Sequence, residues 1–333
     1  MTDAPTARGI PLSSWRYAAL RAWHGFMRHR GIDSAAALTF FAALTFFPAA
    51  LAVVSAFAVG NGKRNAADVI LDVADEVLQT STVDALRDPL NQLFSVQNPG
   101  IALALGLAVS LWSLSGYATA FGRAVNSVYE VHEGRQIWKF RGLMLVLAVF
   151  LLVSFAAIVV LLVTTPRLAT AIGHSLGIGE PWIMVWSIGR WPVLLAAVTL
   201  LVAVLYYFTP NVRHERMRWV SQGAIFAIVA WGVATAAFAF YVSTIGVYDR
   251  VYGWLGGGLV LLLWLYLTNL VMVFGAEVDA EVVRLRQLHA GIAAEEVVQL
   301  PMRDTTRNLM LATQRAADEA EGRRIREDAT GSD

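Results

Sequence analysis

The chain has 333 residues, 57% of them hydrophobic and 15% charged, whereas an average soluble domain carries about 25% charged residues. A soluble fold has too little interior for so much apolar surface. Cysteine is absent and the net charge is +1, which excludes disulfides, thiolate metal sites and a cysteine nucleophile and gives no electrostatic footprint for a polyanion.

In chain order, Met1 to Asp33 is polar and rich in arginine and lacks the apolar core of a cleavable signal peptide. Residues 1–34 are therefore expected to form an N-terminal segment outside the membrane. Six stretches free of Asp, Glu, Lys and Arg follow: Ala35 to Val59, Gly100 to Phe121, Leu143 to Thr164, Trp191 to Phe208, Val220 to Tyr241 and Leu255 to Phe274. Each is long enough, at roughly 20 residues, to cross a hydrocarbon core of about 30 Å as a helix. The fourth has room to start at Trp182, with Arg190 near the interface. None shows the short dyad alternation of a membrane barrel. The predicted fold is all-α: a polytopic bundle over residues 35–288 and a tail over 289–333, partly disordered because Arg315 to Asp333 is polar with few apolar residues.

Several positions within this frame carry chemistry. Pro48 lies in the first span, where it removes a backbone donor and clashes with the preceding turn, so a kink and a freed carbonyl near Leu44 are expected. Thr39 and Thr45 are close enough in sequence to satisfy freed groups. Residues 60–99 form a long connection in which Val69, Ile70, Val73, Val77 and Leu78, then Leu86, Leu90, Leu93 and Phe94, share helical faces opposite aspartates. Two short amphipathic helices capping the external side are expected there. Ser110, Ser113 and Tyr117 fall on one face of the second span. Tyr248, Asp249 and Arg250 stand at the external mouth of the sixth, and Asn269 lies inside it. Such polar side chains either line a wet path or join helices by hydrogen bonds of about 0.6 kcal/mol each. Glu277, Asp279 and Glu281 follow at the far end. An acid at a helix C-terminus opposes the macrodipole and calls for a basic partner, for which Arg123, Arg141 or Arg213 are candidates. Thr45, Pro48, Ser113, Tyr117, Tyr248, Asp249, Arg250, Asn269 and Glu277 together are the candidate substrate path.

Orientation follows from Lys and Arg beside the spans. Arg16, Arg21, Arg28, Arg30, Arg123, Arg135, Lys139, Arg141, Arg213, Arg216, Arg218, Arg284 and Arg286 flank one side, and Lys63, Arg64, Arg87, Arg167, Arg190 and Arg250 the other. The richer side is expected to be cytoplasmic, with both termini on it. Reporters fused after Glu130, His214 and Arg303 should then read as cytoplasmic, and those at Asp75 and Gly177 as external. A cytoplasmic signal at Asp75 would overturn the topology.

No catalytic constellation is visible. His24, His29, His132, His174, His214 and His289 are scattered, without an HExxH pair, a Walker glycine loop or a GxSxG elbow. The expectation is no enzyme, no cofactor, no metal and no nucleic-acid partner.

The blocks AALTFFAALTFFP (Ala36 to Pro48), Ala124-Val125-Asn126, Leu205-Tyr206-Tyr207-Phe208-Thr209-Pro210-Asn211, Tyr252-Gly253, Leu263-Trp264-Leu265-Tyr266-Leu267 and Gly275-Ala276-Glu277 resemble, in this order, the YihY / virulence factor BrkB family, once labelled ribonuclease BN. The family pattern often has Tyr and Ser where this chain has Phe41 and Thr45. The resemblance implies six helices in a bacterial inner membrane, and a role in resistance to serum killing or in transport of envelope lipids or solutes. The expected function is a transporter or flippase-like exporter of a lipid or amphipathic solute, with a cavity between helices 1, 2 and 6. The alternatives are a non-transporting scaffold for envelope assembly and, less favoured, a ribonuclease. RNA binding needs a dense basic surface, and these arginines are spread along one membrane edge.

Overall fold

The computed structural model describes residues 11–61, 98–163, 180–213, 221–245 and 254–330. They form α1 (Leu12–Arg28), α2 (Gly31–Asn61), α3 (Pro99–Val128), α4 (Ile137–Val163), α5 (Glu180–Phe208), α6 (Gln222–Ile245), α7 (Trp254–His289) and α8 (Thr306–Thr330). Among the described residues, α2 to α7 are the six helices long and apolar enough to cross a membrane, so the all-α polytopic class is as the sequence predicts. The pair of helices expected in 60–99 falls on residues of which 62–97 lie outside those described, and Tyr248, Asp249 and Arg250 lie outside them as well.

Helix α7 organises the bundle, packing against α1, α2, α3 and α6, while α2 lies along α3 and α3 along α4. Its 36 residues give a rod of about 54 Å at about 1.5 Å per residue, longer than the roughly 30 Å hydrocarbon core. The last four turns therefore project beyond the membrane and carry the acids. The main core gathers at that end, where Leu38, Phe121, Val125, Leu205, Tyr206, Val273 and Ala276 meet.

Three features go beyond what the sequence indicates. First, the N-terminal segment is not merely polar: α1 buries Ala18, Ala22, Gly25 and Phe26, a spacing of four, three and one that makes a single helical stripe. Phe26 meets Phe274 of α7 edge-on, with ring centroids 5.5 Å apart. Second, α2 stays helical on both sides of Pro48. The hydroxyls of Thr39 and Thr45 donate to the carbonyls four residues back, Ala35 and Phe41, both at 2.8 Å, and not to a carbonyl near Leu44. At this level α2 and α3 touch backbone to backbone, since a Cβ at Gly106 would lie 2.8 Å from the Pro48 carbonyl oxygen. Small residues of this kind let membrane helices close in. Third, residues 306–330 of the tail form a helix. Residues after α7 return to the bundle, where the Arg213 and Arg303 amides donate to the carbonyls of Pro301 and Asn211 at 2.8 and 3.1 Å. Residues 315–330 then continue α8, in which no residue is buried. Its Ala, Glu, Arg and Gln are strong helix formers, and low hydrophobicity removes the packing face without removing that propensity.

Candidate functional site

Asn269 lies where α2, α3 and α7 meet and is 2% exposed. Its Oδ1 accepts from the Tyr117 hydroxyl at 2.8 Å, and its Nδ2 donates to Thr39 Oγ1 at 3.2 Å and to the Leu265 carbonyl at 2.9 Å. Three of the four hydrogen-bonding positions of the amide are thereby filled inside the protein. The Tyr117 ring stacks at 6.4 Å on Phe121, which stacks at 5.6 Å on Tyr206, and the Tyr206 hydroxyl donates to the Met272 carbonyl. A rigid aromatic file thus holds the phenol of Tyr117 in place from α5.

Two turns further on, Glu277 is 1% exposed. Its partner is His29, just past the end of α1, whose Nδ1 lies 2.8 Å from Glu277 Oε1. The other ring nitrogen lies 3.6 Å from Glu130, a residue on the surface that Arg28 also approaches at 3.4 Å. Arg123, Arg141 and Arg213, the candidate partners read from the sequence, do not take this role. Glu281, one turn on and roughly 40° around the helix, meets Arg21 Nε at 3.3 Å and Arg284 Nε at 3.1 Å. Asp279 points to the other side, roughly 200° from Glu277, where it accepts the Tyr129 hydroxyl at 2.9 Å and the Gly223 amide at 3.0 Å. Burial, then the charge of Asp279, pushes the Tyr129 phenol well above its ordinary range, so it remains a donor throughout physiological pH. The three acids are thus tied to α1, α3 and α6 in one polar layer beneath the membrane-crossing part of α7. The His29 and Glu277 pair is suited to holding a proton. Among the described residues no group of three or more His, Asp or Glu is placed to hold a metal.

Of the sequence candidates, the structure brings Tyr117 and Asn269 into direct contact. Ser113 is buried on α3, and Thr45 is spent on its own helix. Asn269 bonds neighbouring helices inside the bundle, as packing alone would have it, while Glu277 is buried behind His29, as packing alone does not require. The sequence reading missed His29, Arg21 and Arg284. The one available signal was the acid-free Arg/His run of α1, which faces the acid run of α7.

A second polar knot joins motifs far apart in sequence. Asn126 Oδ1 accepts the Asn211 amide at 2.7 Å, and Asn211 Nδ2 donates to the carbonyls of His132 and Asp304 at 3.1 and 2.8 Å. Arg135 bonds Glu133 at 2.6 Å and the Thr209 carbonyl at 2.6 Å. The Asn126 and Asn211 motifs therefore close the loop ends of α3 and α5 against the segment that follows α7.

No solved structure matches this chain. It is 29% identical over 217 residues to the Bacillus subtilis (strain 168) protein YfkH, named as ribonuclease-like, covering 64% of this chain and 77% of that protein. It is 28% identical over 287 residues to a UPF0761 membrane protein of Ralstonia nicotianae, covering 83% of this chain and 62% of the relative. A UPF0761 membrane protein of Laribacter hongkongensis is 27% identical over 282 residues, covering 79% of this chain and 60% of the relative. The chain thus spans less than two thirds of the length of these two UPF0761 relatives. The sequence profile described as Virulence factor BrkB matches residues 22–298, from the middle of α1 to the segment after α7 and across every motif named above, and the chain accordingly belongs to the virulence factor BrkB family of multi-pass membrane proteins.

Proposed function

We propose that this protein is a transporter or flippase-like exporter of a lipid or other amphipathic solute in the bacterial inner membrane, with both termini cytoplasmic. The observation that carries this reading is the buried carboxylate of Glu277, 1% exposed and paired with the ionisable His29, on the same helix as the hydrogen-bonded junction of Thr39, Tyr117 and Asn269. Such bonds contribute only about 0.6 kcal/mol each, so the junction parts at small cost and then offers donors and acceptors to a polar headgroup. Glu277 supplies an ionisable group on the same helix, roughly 80° around and about 12 Å along the axis. The Lys and Arg asymmetry supports a cytoplasmic α1 face. The engagement of Arg21, Arg135, Arg284 and Arg303 with carboxylates and carbonyls speaks against a nucleic-acid surface.

The test is reconstitution of purified protein in liposomes, followed by translocation of labelled phospholipids and small amphipathic solutes. Asn269→Leu should abolish most of the flux while insertion and monodispersity persist, because leucine is readily accepted in lipid and only three weak bonds are lost. Glu277→Gln should reduce flux with little change in shape. Removing α8 should leave flux unchanged. A wild-type protein that moves none of these probes overturns the transport reading. The exposed α8 would then favour the scaffold alternative.

A further inference from the structure

We infer that α1 is an interfacial helix whose outward apolar face lies in the headgroup layer of the bilayer crossed by α2 to α7, with Arg16 placed to meet anionic phospholipid headgroups. At roughly 100° per residue, Ala18, Ala22, Gly25 and Phe26 turn inward and are buried, while Leu12, Leu20, Trp23 and Met27 turn outward and are exposed. Arg16 falls in the middle of the outward face, and Tyr17, Arg21, His24 and Arg28 form its polar edge. α1 contains no acid.

The depth of this face is fixed by α7. Trp23 lies against Phe274, ring centroids 6.5 Å apart, and Phe274 stands three residues before Glu277, the first charged residue of α7. At the same end, Ile137 and Trp138 begin α4 with their side chains exposed, Trp138 at 89%. Tryptophan at this level is the signature of the membrane interface. The exposed side of α1 is therefore continuous with the lipid-facing surface of the bundle. An amphipathic helix with basic residues beside such a face lies in the interface plane. A lone arginine amid apolar side chains suits that layer, its stem lying in the apolar zone and its head at the phosphates. A second copy of the chain would have to bury the same guanidinium on the apolar face without an acid from α1 to pair it.

The chain has no cysteine, so single spin labels can be placed in the full-length protein in vesicles. Leu20→Cys and Met27→Cys report the outward face, Val153→Cys on α4 gives a lipid reference, and Ala317→Cys on α8 gives a water reference. The labels at 20 and 27 should be several-fold less accessible to a water-soluble nickel chelate than that at 317, and less accessible to oxygen than that at 153. Adding phosphatidylglycerol to phosphatidylcholine vesicles should lower the nickel accessibility further, and Arg16→Gln should remove that response. Labels at 20 and 27 as accessible to nickel as that at 317 would overturn the inference. So would spin–spin broadening at position 20 that vanishes on dilution with unlabelled protein, which would assign the face to a second copy. A lipid response unchanged by Arg16→Gln would overturn the role given to that residue.

Discussion

Replacing Arg284 by methionine is expected to produce the largest loss of stability of any single charge change in this protein. The arginine is 2% exposed, pairs with Glu281, and donates to the carbonyls of Ala294 and Glu296. Arg21 meets the same carboxylate and also donates to the Glu295 carbonyl at 2.8 Å, so two arginines clamp the turn after α7 onto that helix. Leaving a buried charge without any partner costs about 3–5 kcal/mol, and Arg21, which still meets Glu281 at 3.3 Å, holds the loss at the ion pair below that range. The abandoned carbonyls add about 1–3 kcal/mol where water does not reach them. Arg284→Met should therefore lower the thermal midpoint in detergent by many degrees and sharply reduce abundance. Arg284→Lys should fall in between, since an ammonium lacks the planar fork that reaches a carboxylate and carbonyls together. Adding Glu281→Gln to Arg284→Met should deepen the loss, because Arg21 then loses its carboxylate as well. A midpoint of Arg284→Met equal to that of wild type would show that the clamp contributes nothing.

Gly223→Val should separate α6 from α7. A Cβ at Gly223 would lie 2.3 Å from the Gly275 carbonyl oxygen and 2.4 Å from Asp279 Cβ, positions fixed by the α7 backbone rather than by a flexible side-chain end. The Gly223 amide also donates to Asp279 at 3.0 Å, so displacing α6 leaves that buried acid with Tyr129 alone. Overpacking typically costs about 1–3 kcal/mol, and an orphaned buried acceptor a similar amount. The variant should insert but aggregate on extraction, with a lowered midpoint. Gly232→Val is the control on the same helix, because a Cβ there meets nothing within 4 Å, and it should behave as wild type. Equal behaviour of the two variants would refute the close contact as the cause.

The six crossing helices were legible in the sequence because the bilayer imposes a one-dimensional rule. About 20 uncharged apolar residues must be helical in lipid wherever they sit in the chain. That Asn269 and Tyr117 take hydrogen-bond partners within the bundle was also legible, since polar side chains in such runs need them. What the sequence by itself left undecided was which partner each group takes. Glu277 meets His29 and Glu281 meets Arg21 across separations of 248 and 260 residues, and no periodicity encodes such a pairing. The three arginines proposed for Glu277 were near the right membrane edge, but the rotation of α7 turns Glu277 toward α1 and Asp279 toward α3 and α6. The amphipathic stripe of α1 was present in the sequence and hidden by its arginines, which read as a polar segment until α7 supplies the surface that the alanines and Phe26 bury. Composition thus determined the solvent each segment lives in. Only the tertiary structure, through helix rotation and backbone contact at Gly106 and Gly223, decided which charges are paired, because those distances depend on several helices at once.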